Sequence, residues 1–242
     1  MAQNIYDDAG FFSGYAALPR SQFGLEAAPE WPELRAMVGS VAGARVADLG
    51  CGYGWFCRWA AAEGAASVLG LDLSERMLAR AREFPTDARI TYERADLENL
   101  DLADRRFDLV YSSLTLHYLP DLGPLLRAVR GAMDPGGRVV CSVEHPVLTA
   151  PTTTEFVTHD GDVIWPLSHF ADEGPRVTNW LADGVVKHHR TAATYVRELV
   201  AAGFVVDGLG EWTPNAADLH EHPEWARERH RPFFLLLSAR TV

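Results

Sequence analysis

An acidic residue followed by regularly spaced glycines is the clearest sign of chemistry in this sequence. Asp48 precedes Gly50, Gly52 and Gly54, which alternate with other residues between an apolar run and a segment of helical character. Glycines here let the chain turn sharply and bring backbone N–H groups close to a ligand at the start of a helix. A second carboxylate, Asp72, ends the next apolar run, where it can accept both hydroxyls of a ribose. The pattern predicts a site for a ligand that contains a nucleoside.

The glycine spacing separates the classes of nucleotide site. A dinucleotide fingerprint needs its third glycine where Trp55 or Cys57 stands, depending on which glycine begins the count. A phosphate-binding P-loop needs glycine and lysine followed by serine or threonine, and this loop has no such run. A nucleotide-binding oxidoreductase is therefore the weaker alternative.

Small and acidic side chains also end the next two predicted strands. Asp96 ends the third strand, and Ser112 and Ser113 end the fourth. The carboxyl ends of parallel strands meet at one edge of a sheet, which is where open α/β sheets bind ligands. Each aspartate alone could equally cap a turn or a helix, so the prediction rests on the ordered set.

Short apolar runs alternate with helical segments over the middle of the chain, and this rhythm predicts a parallel sheet with helices on both faces. The predicted strands are Arg45–Leu49, Ser67–Leu71, Ile90–Ala95, Phe107–Tyr111, Arg138–Val143, Phe204–Leu209 and Phe233–Ala239. The predicted helices are Trp55–Glu63, Ser74–Phe84, Leu122–Met133 and Ala192–Ala202. Ser74 and Thr191 are suited to cap two of these helices, since their side-chain oxygens can accept from unpaired first-turn amides.

Two segments stand outside this rhythm. Residues 1–40 carry Phe11, Phe12, Tyr15 and Phe23, which predict either docking on the domain or a lid over a ligand. Residues 147–190 contain two Asp-Gly pairs flanked by β-prone residues, which predict an antiparallel insert. The rings of Trp165, Trp180, Tyr15 and Phe12 would suit an apolar substrate pocket or a contact between two copies of the chain. The resulting division is 1–40, 41–146, 147–190 and 191–242 within a single domain.

Composition excludes several partners. The chain has 242 residues and a net charge of −11, and acidic proteins grip phosphate backbones poorly. No apolar run approaches the roughly 20 residues of a membrane span, and the amino-terminal residues lack the pattern of a signal peptide. The three cysteines, Cys51, Cys57 and Cys141, match no metal spacing and suit reduced thiols in the cytoplasm. We expect no nucleic-acid partner and no metal.

Five motifs in succession give the chain a family resemblance. They are Val46-Ala-Asp-Leu-Gly-Cys-Gly-Tyr-Gly54, Gly70-Leu-Asp-Leu-Ser74, Ala95-Asp-Leu97, Phe107-Asp-Leu-Val-Tyr-Ser-Ser113 and Pro135-Gly-Gly137. This order resembles class I S-adenosylmethionine-dependent methyltransferases, in the small-molecule subgroup related to quinone-biosynthesis and "type 11" enzymes. The resemblance implies a Rossmann-like α/β fold with seven mostly parallel strands, the last antiparallel. It also implies methyl transfer to a small molecule.

The resemblance assigns roles at matching positions. Asp48, Gly50, Cys51 and Gly52 would hold the methionine part of S-adenosylmethionine, and Asp72 would bind its ribose. The remaining expected cofactor contacts are Leu73 and Met77 on the adenine faces, Asp96 and Leu97 at the adenine rim, Ser112 and Ser113 beneath the sulfonium, and Tyr15 and His117.

A catalytic base is an open question at this stage. Holding an acceptor atom in line with the methyl group can supply about 7–11 kcal/mol of the barrier, more than one base provides. His117 and His145 are the candidates, because each follows a strand on the predicted ligand side and histidine titrates near neutrality. Arg20 is a candidate partner for a carboxylate. A cofactor-binding protein without catalysis is the other alternative, and the acceptor atom is open among oxygen, nitrogen, carbon and sulfur.

Overall fold

A computed structural model describes residues 3–85, 87–102 and 104–242. The strands are β1 (Arg45–Leu49), β2 (Ser67–Asp72), β3 (Ile90–Arg94), β4 (Phe107–Ser113), β5 (Met133–Glu144), β6 (Val157–His159), β7 (Asp162–Ile164), β8 (Gly174–Thr178), β9 (Val185–His189), β10 (Val205–Trp212) and β11 (Phe234–Arg240). The α-helices are α1 (Ala9–Ala16), α2 (Pro19–Phe23), α3 (Trp31–Val38), α4 (Trp55–Ala62), α5 (Glu75–Glu83), α6 (Gly123–Gly131), α7 (Pro146–Thr149), α8 (Ala192–Ala201) and α9 (Ala216–Glu221). Short 3-10 helices cover Ile5–Asp7, Gly24–Ala27, Leu97–Asn99, Leu116–Tyr118 and Pro223–His230.

Seven strands form the central sheet, in the order β10-β11-β5-β4-β1-β2-β3. The pairs β1 with β2, β1 with β4, β2 with β3 and β4 with β5 are parallel, whereas β11 runs antiparallel to both of its neighbours. The predicted Rossmann-like sheet with an antiparallel last strand is confirmed. The parallel strand ends of β1, β2, β3 and β4 therefore share one edge.

The helices cover both faces of the sheet. The reason is that β2 and β3 are added on one side of β1 and β4 and β5 on its other side, so right-handed connections place their helices on opposite faces. One core lies beneath α6 and α8 and includes Leu71, Leu125 and Leu199. The other lies beneath α3 and α4, where Phe56 and Tyr111 stack with ring centroids 3.6 Å apart. The central strands are thus packed between two hydrophobic cores, one on each face of the sheet.

Both predicted helix caps are present. The Ser74 hydroxyl accepts from the Met77 amide at the start of α5, and the Thr191 hydroxyl accepts from the Thr194 amide at the start of α8. Each bond satisfies an amide that has no partner within the helix. Ser74 also fixes the direction in which α5 leaves the edge of the sheet beside Asp72.

Residues 147–190 form two hairpins beside the sheet. β6 pairs with β7 across Asp160-Gly161, and β8 pairs with β9 across Asp183-Gly184, as the two turn signals predict. The backbone of Asp160 and Gly161 has positive φ, 51° and 90°, which the tight first turn requires. Gln3 bonds to Gly184 and Val186, so the amino-terminal segment contacts this insert.

Three details differ from the sequence-based expectations. β5 begins at Met133 instead of Arg138, because Met133 pairs with Phe107 before the register shifts at Leu109. Val200 is 56% exposed, and Thr194 takes the inner position beside Tyr195 on α8. Phe23, at the end of a five-residue helix, is 68% exposed and is not covered by the domain. Within the described part of the chain, no helix is long and apolar enough to cross a bilayer.

Candidate active site

A cavity of about 640 Å³ opens at the edge where β1, β2, β3 and β4 end. Its walls come from the glycine loop after β1, the residues after β2 and β3, the segment after β4, the end of β5, residues between Gln3 and Pro32, Trp180 of the insert, and residues between Asp218 and Phe234. Two of its parts differ in origin. The cofactor end holds the glycine loop, Asp72 and Asp96, and the acceptor end holds His117, Tyr118, Glu144 and Trp180.

The glycine loop is folded back onto β2. The Gly50 and Cys51 amides both donate to the Leu71 carbonyl, at 2.8 and 2.9 Å. Gly50 has φ +77°, and a Cβ there would lie 2.1 Å from the Thr115 hydroxyl. At Gly52, with φ +51°, the nearest atom to a Cβ would be the Tyr15 hydroxyl at 3.9 Å, so the backbone there faces open space. The loop thus presents backbone to the cavity.

Asp72 sits where β2 ends and lines the cavity. One carboxylate oxygen accepts from the Gly52 amide at 2.8 Å, and the other accepts from the Ser74 amide at 2.9 Å. Burial raises the pKa of Asp72 to about 6, although these two amides favour the ionised form. The residue both ties the loop to the helix start and offers a carboxylate to a ligand.

The rim beyond Asp72 combines an apolar slot with a capped turn. Leu73, Met77 and Leu97 line the cavity, and Met77 and Leu97 are buried. Asp96 also lines it, but its carboxylate accepts from the Glu98 amide and the Asn99 side chain, both at 3.0 Å. The structure therefore gives Asp96 the capping role that the sequence left as an alternative, at a position that still faces the cavity.

A small polar recess of about 90 Å³ adjoins the glycine loop. Asp48 and Cys51 line it, and burial raises the pKa of Asp48 to about 7 while the Cys57 thiol donates to it over 3.3 Å. Arg20 reaches the recess and donates to Glu30 at 2.5 Å. Glu30 is 1% exposed, and its second oxygen has no hydrogen-bond partner among the described residues. The sequence analysis missed Glu30, which carries no motif.

The two serines after β4 face different ways. Ser113 lines the cavity, and its hydroxyl lies 3.1 Å from that of Ser142. Ser112 is buried, and its hydroxyl donates to the Leu49 carbonyl at 2.9 Å without reaching the cavity. Alternation along a strand separates adjacent side chains in this way. The structure thus brings Ser113, but not Ser112, to the predicted cofactor position.

The two candidate histidines separate for a similar reason. His117 is buried and lines the cavity, and its Nδ1 accepts from the Glu144 amide at 3.4 Å. Burial lowers the pKa of His117 to about 4, so the ring is neutral at pH 7 and carries its proton on Nε2. His145 does not reach the cavity. Its Nδ1 accepts from the Val147 amide at 3.0 Å, and its Nε2 lies 3.1 Å from Glu211.

Glu144, the residue before His145, takes the position at the cavity that was expected for His145. Glu144 ends β5, lines the cavity, and accepts from the Lys187 ammonium at 2.5 Å. Neither residue was among the predicted site residues, although the strand alternation that excludes His145 identifies Glu144. The carboxylate and ammonium come from segments more than 40 residues apart in sequence.

Aromatic rings wall the acceptor end. Tyr6, Tyr15, Tyr118 and Trp180 line the cavity, and the Tyr6 hydroxyl lies 3.3 Å from that of Tyr118. The other two rings expected there lie elsewhere. Phe12 packs on Tyr53 outside the cavity, and the Trp165 indole N–H donates to the Val147 carbonyl at 2.9 Å.

The structure shows no metal cluster in its described residues, where no three His, Cys, Asp or Glu side chains converge. His189 is buried against Thr149 and the Phe170 carbonyl, away from His188. The site thus combines backbone amides, carboxylates, the guanidinium of Arg20, the neutral imidazole of His117 and aromatic rings.

Known proteins resemble this chain in sequence and in structure. Residues 47–141 match the family described as a methyltransferase domain. A crystal structure of an S-adenosylmethionine-dependent methyltransferase from Mesorhizobium loti has 53% identity and a TM-score of 0.86, covering 90% of this chain and all of that one.

Two curated relatives are also similar. Trans-aconitate 2-methyltransferase of Deinococcus radiodurans is 34% identical over 76% of this chain and 73% of its own length. Malonyl-[acyl-carrier protein] O-methyltransferase of Erwinia pyrifoliae is 44% identical over 40% of this chain and 36% of its own length. The crystal structure and the trans-aconitate relative thus cover more of this chain than residues 47–141.

Proposed function

Because the chain belongs to the S-adenosylmethionine-dependent methyltransferases, we propose that it methylates a small-molecule acceptor bound at the acceptor end of the cavity. The observation that carries the proposal is the position of Asp72, a carboxylate tied to the glycine loop and open to a cavity large enough for two small ligands. The relatives named for trans-aconitate and for malonyl-[acyl-carrier protein] provide two carboxylate compounds against which other acceptors are compared.

The residues present fit S-adenosylmethionine. We propose that Asp72 binds the ribose, that Leu73, Met77 and Leu97 enclose the adenine, and that Asp96 lies at its rim. The polar recess suits an amino-acid head group, since Arg20 can meet a carboxylate while Asp48 and the unpartnered oxygen of Glu30 can accept from an ammonium. Gly50, Gly52 and Cys51 supply the nearby backbone, and Ser113 and Tyr15 complete the proposed contacts.

S-adenosylmethionine, when bound, supplies a methyl group that the cationic sulfur makes electrophilic. The task of this chain is then to orient an acceptor and exclude water, which can supply about 7–11 kcal/mol of the barrier. His117 is neutral at pH 7 and presents an N–H donor at Nε2, so we assign it to orienting the acceptor. His145, outside the cavity, is assigned to holding the start of α7.

The segments around the motif region are proposed to select the acceptor. Tyr6 and Tyr15 come from residues 1–40, and Trp180 comes from residues 147–190. Exposed apolar side chains on the insert, including Val163, Ile164 and Leu167, keep a contact between two copies as an alternative role for that segment. Sedimentation velocity distinguishes the two. The three buried, unpaired cysteines suit the proposed cytoplasmic location.

Thermal unfolding tests the cofactor assignment. S-adenosylhomocysteine is expected to raise the melting temperature, because a ligand that binds only the folded state stabilises it, whereas NAD is expected to leave it unchanged. Stabilisation by NAD alone would refute the assignment. Transfer of labelled methyl groups to a metabolite library then tests catalysis, and tight cofactor binding without transfer to any acceptor would indicate a binding protein.

A further inference from the structure

Glu144 is a carboxylate that the cofactor motifs do not include. Its side chain is 18% exposed and faces the cavity, and the Lys187 ammonium behind it, 6% exposed, donates to Oε1 at 2.5 Å. Among the described residues, no hydrogen-bond donor lies on its other oxygen, Oε2. One oxygen is thus held by the protein, and the other is left for a ligand.

The ion pair keeps this carboxylate charged. Burial alone would raise the pKa of Glu144, but the charge of His117 in its protonated form, the charge and hydrogen bond of Lys187, and the charge of Arg231 outweigh burial and lower it. Lys187 is itself enclosed, with its ammonium 4.7 Å from the centre of the Trp180 ring and 5.9 Å from that of Tyr118. The acceptor end therefore contains an ionised carboxylate, that of Glu144, which is already paired with Lys187 and can still accept a hydrogen bond from a ligand.

The charged side chains that line the cavity also disfavour an anionic acceptor. Its described lining includes one guanidinium, that of Arg20, which pairs with Glu30. Its carboxylates are Glu26, Asp72, Asp96, Glu98, Glu144, Asp218 and Glu221. Arg190 and Arg231 act through their charges on His117 and Glu144, respectively, but neither guanidinium lines the cavity. An anionic acceptor would meet like charge at the mouth and again at Glu144, and like-charge contacts select strongly against a ligand.

The donors beside Glu144 define what would complement it. His117 offers N–H at Nε2, while Glu144 offers only an acceptor at Oε2. A hydroxyl group can donate to the carboxylate and accept from the imidazole at once, and a protonated amino group can donate to the carboxylate with opposite charge. A carboxylate ligand can accept from His117 but would leave the two anions facing each other across a poorly solvated space.

We propose that Glu144 determines acceptor specificity, selecting a molecule that presents a hydroxyl or amino group on an apolar frame and rejecting carboxylates. The inference rests on the proposed methyl transfer and adds the chemical class of the acceptor. The proposed selectivity distinguishes this chain from its relative named for trans-aconitate, because trans-aconitate is a polycarboxylate. Trp180, Tyr118 and Tyr6 provide the apolar surface around the polar pair.

Three probes that share one ring test the selection. Benzyl alcohol, benzylamine and benzoate are titrated into the protein loaded with S-adenosylhomocysteine, and binding is followed by ligand-observed NMR. The wild-type protein is expected to bind benzyl alcohol or benzylamine at least tenfold more tightly than benzoate. Glu144→Gln removes the charge and keeps the shape, so the preference is expected to fall at least fivefold, mainly because benzoate gains affinity.

Two further variants control the experiment. Glu211→Gln changes a carboxylate that lies outside the cavity and contacts His145, and it should leave the preference unchanged. Because Glu144→Gln leaves Lys187 buried without its partner, the double variant Glu144→Gln/Lys187→Met removes both charges and should fold while still losing the preference. Affinity for S-adenosylhomocysteine is expected to stay within twofold in every variant.

Two results would overturn the assignment of Glu144. One is a wild-type protein that binds benzoate more tightly than benzyl alcohol and benzylamine. The other is a preference that survives in both the single and the double variant. Failure of the underlying function has a different signature, because it would appear as an absence of S-adenosylhomocysteine binding by the wild-type protein before any probe is added.

Discussion

The two ends of the cavity are built from different parts of the chain and are suited to different ligands. The cofactor end is built from consecutive strand ends between Asp48 and Leu97, and much of its surface is backbone. The acceptor end combines Tyr6, Glu144 and Trp180, which lie far apart in sequence. Under the proposed function, the cofactor would be held by geometry that the fold itself provides, whereas the acceptor would be bound by side chains on segments added around the fold.

The same type of side chain behaves oppositely at the two ends. Burial raises the pKa of Asp48 to about 7 and that of Asp72 to about 6, and no cation among the described residues pairs with either carboxylate to offset burial. At the acceptor end Lys187 lowers the pKa of Glu144 despite burial. The cofactor end therefore holds carboxylates that a cationic ligand would stabilise, and the acceptor end holds one whose charge the protein has already balanced.

The largest expected effect comes from filling the glycine loop. Gly50→Ala would place a Cβ 2.1 Å from the Thr115 hydroxyl at φ +77°, and we expect a loss of about 2–5 kcal/mol of unfolding free energy from strain and overpacking. Gly43→Ala is the matched control, since Gly43 has φ +73° but nothing within 4 Å of a Cβ, and about 1–2 kcal/mol is expected. Equal losses in chemical denaturation would show that the close packing of the loop is unimportant.

A smaller effect is expected from Asp72. Asp72→Ala removes the carboxylate that holds the Gly52 amide and faces the ligand, and S-adenosylhomocysteine affinity should fall by about 1–3 kcal/mol, roughly 5- to 150-fold. Isothermal titration calorimetry measures it. Glu144→Gln, at the other end, should leave this affinity within twofold. Unchanged binding by Asp72→Ala would remove the ribose assignment, and equal losses in both variants would remove the distinction between the two ends.

The smallest effect is a pH dependence confined to the cofactor end. Raised pKa values mean that folded Asp48 and Asp72 hold protons up to about pH 7 and 6, so their protonation stabilises the fold below about pH 4, and this is lost as the pH rises through those values. In the proposed complex, the ligand ammonium favours the ionised form of Asp48, and hydrogen bonds from the ribose hydroxyls favour the ionised form of Asp72. Cofactor affinity should therefore rise between pH 5 and 7.5 and level off above the pKa of Asp48.

Calorimetry in buffers of different ionisation enthalpy should show protons released on cofactor binding near pH 6. The acceptor end serves as the internal comparison. His117, with its pKa lowered to about 4, stays neutral over this range, and Glu144 stays ionised, so the preference between benzyl alcohol and benzoate should stay constant. A cofactor affinity that is flat from pH 5 to 8 would contradict the buried-carboxylate interpretation of Asp48 and Asp72.

The sequence by itself determined the fold and most of the cofactor end. Strand alternation, helix caps at Ser74 and Thr191, and the glycine spacing after Asp48 are local signals, and each was confirmed because the conformation it requires depends on near neighbours in the chain. The Asp-Gly hairpins of the insert are local in the same sense. Parallel strand order then carried Asp72 and Asp96 to one edge.

Only the tertiary structure decided which side chains meet at the acceptor end. Glu144 and Lys187 pair across 43 positions, and Glu30 lines the recess beside its partner Arg20. No periodicity or motif in the sequence predicts either contact. A one-residue difference in strand phase put Glu144 and Ser113 in the cavity and left His145 and Ser112 outside it. The physical reason is that long-range packing, rather than local propensity, sets the position of side chains brought together from distant segments.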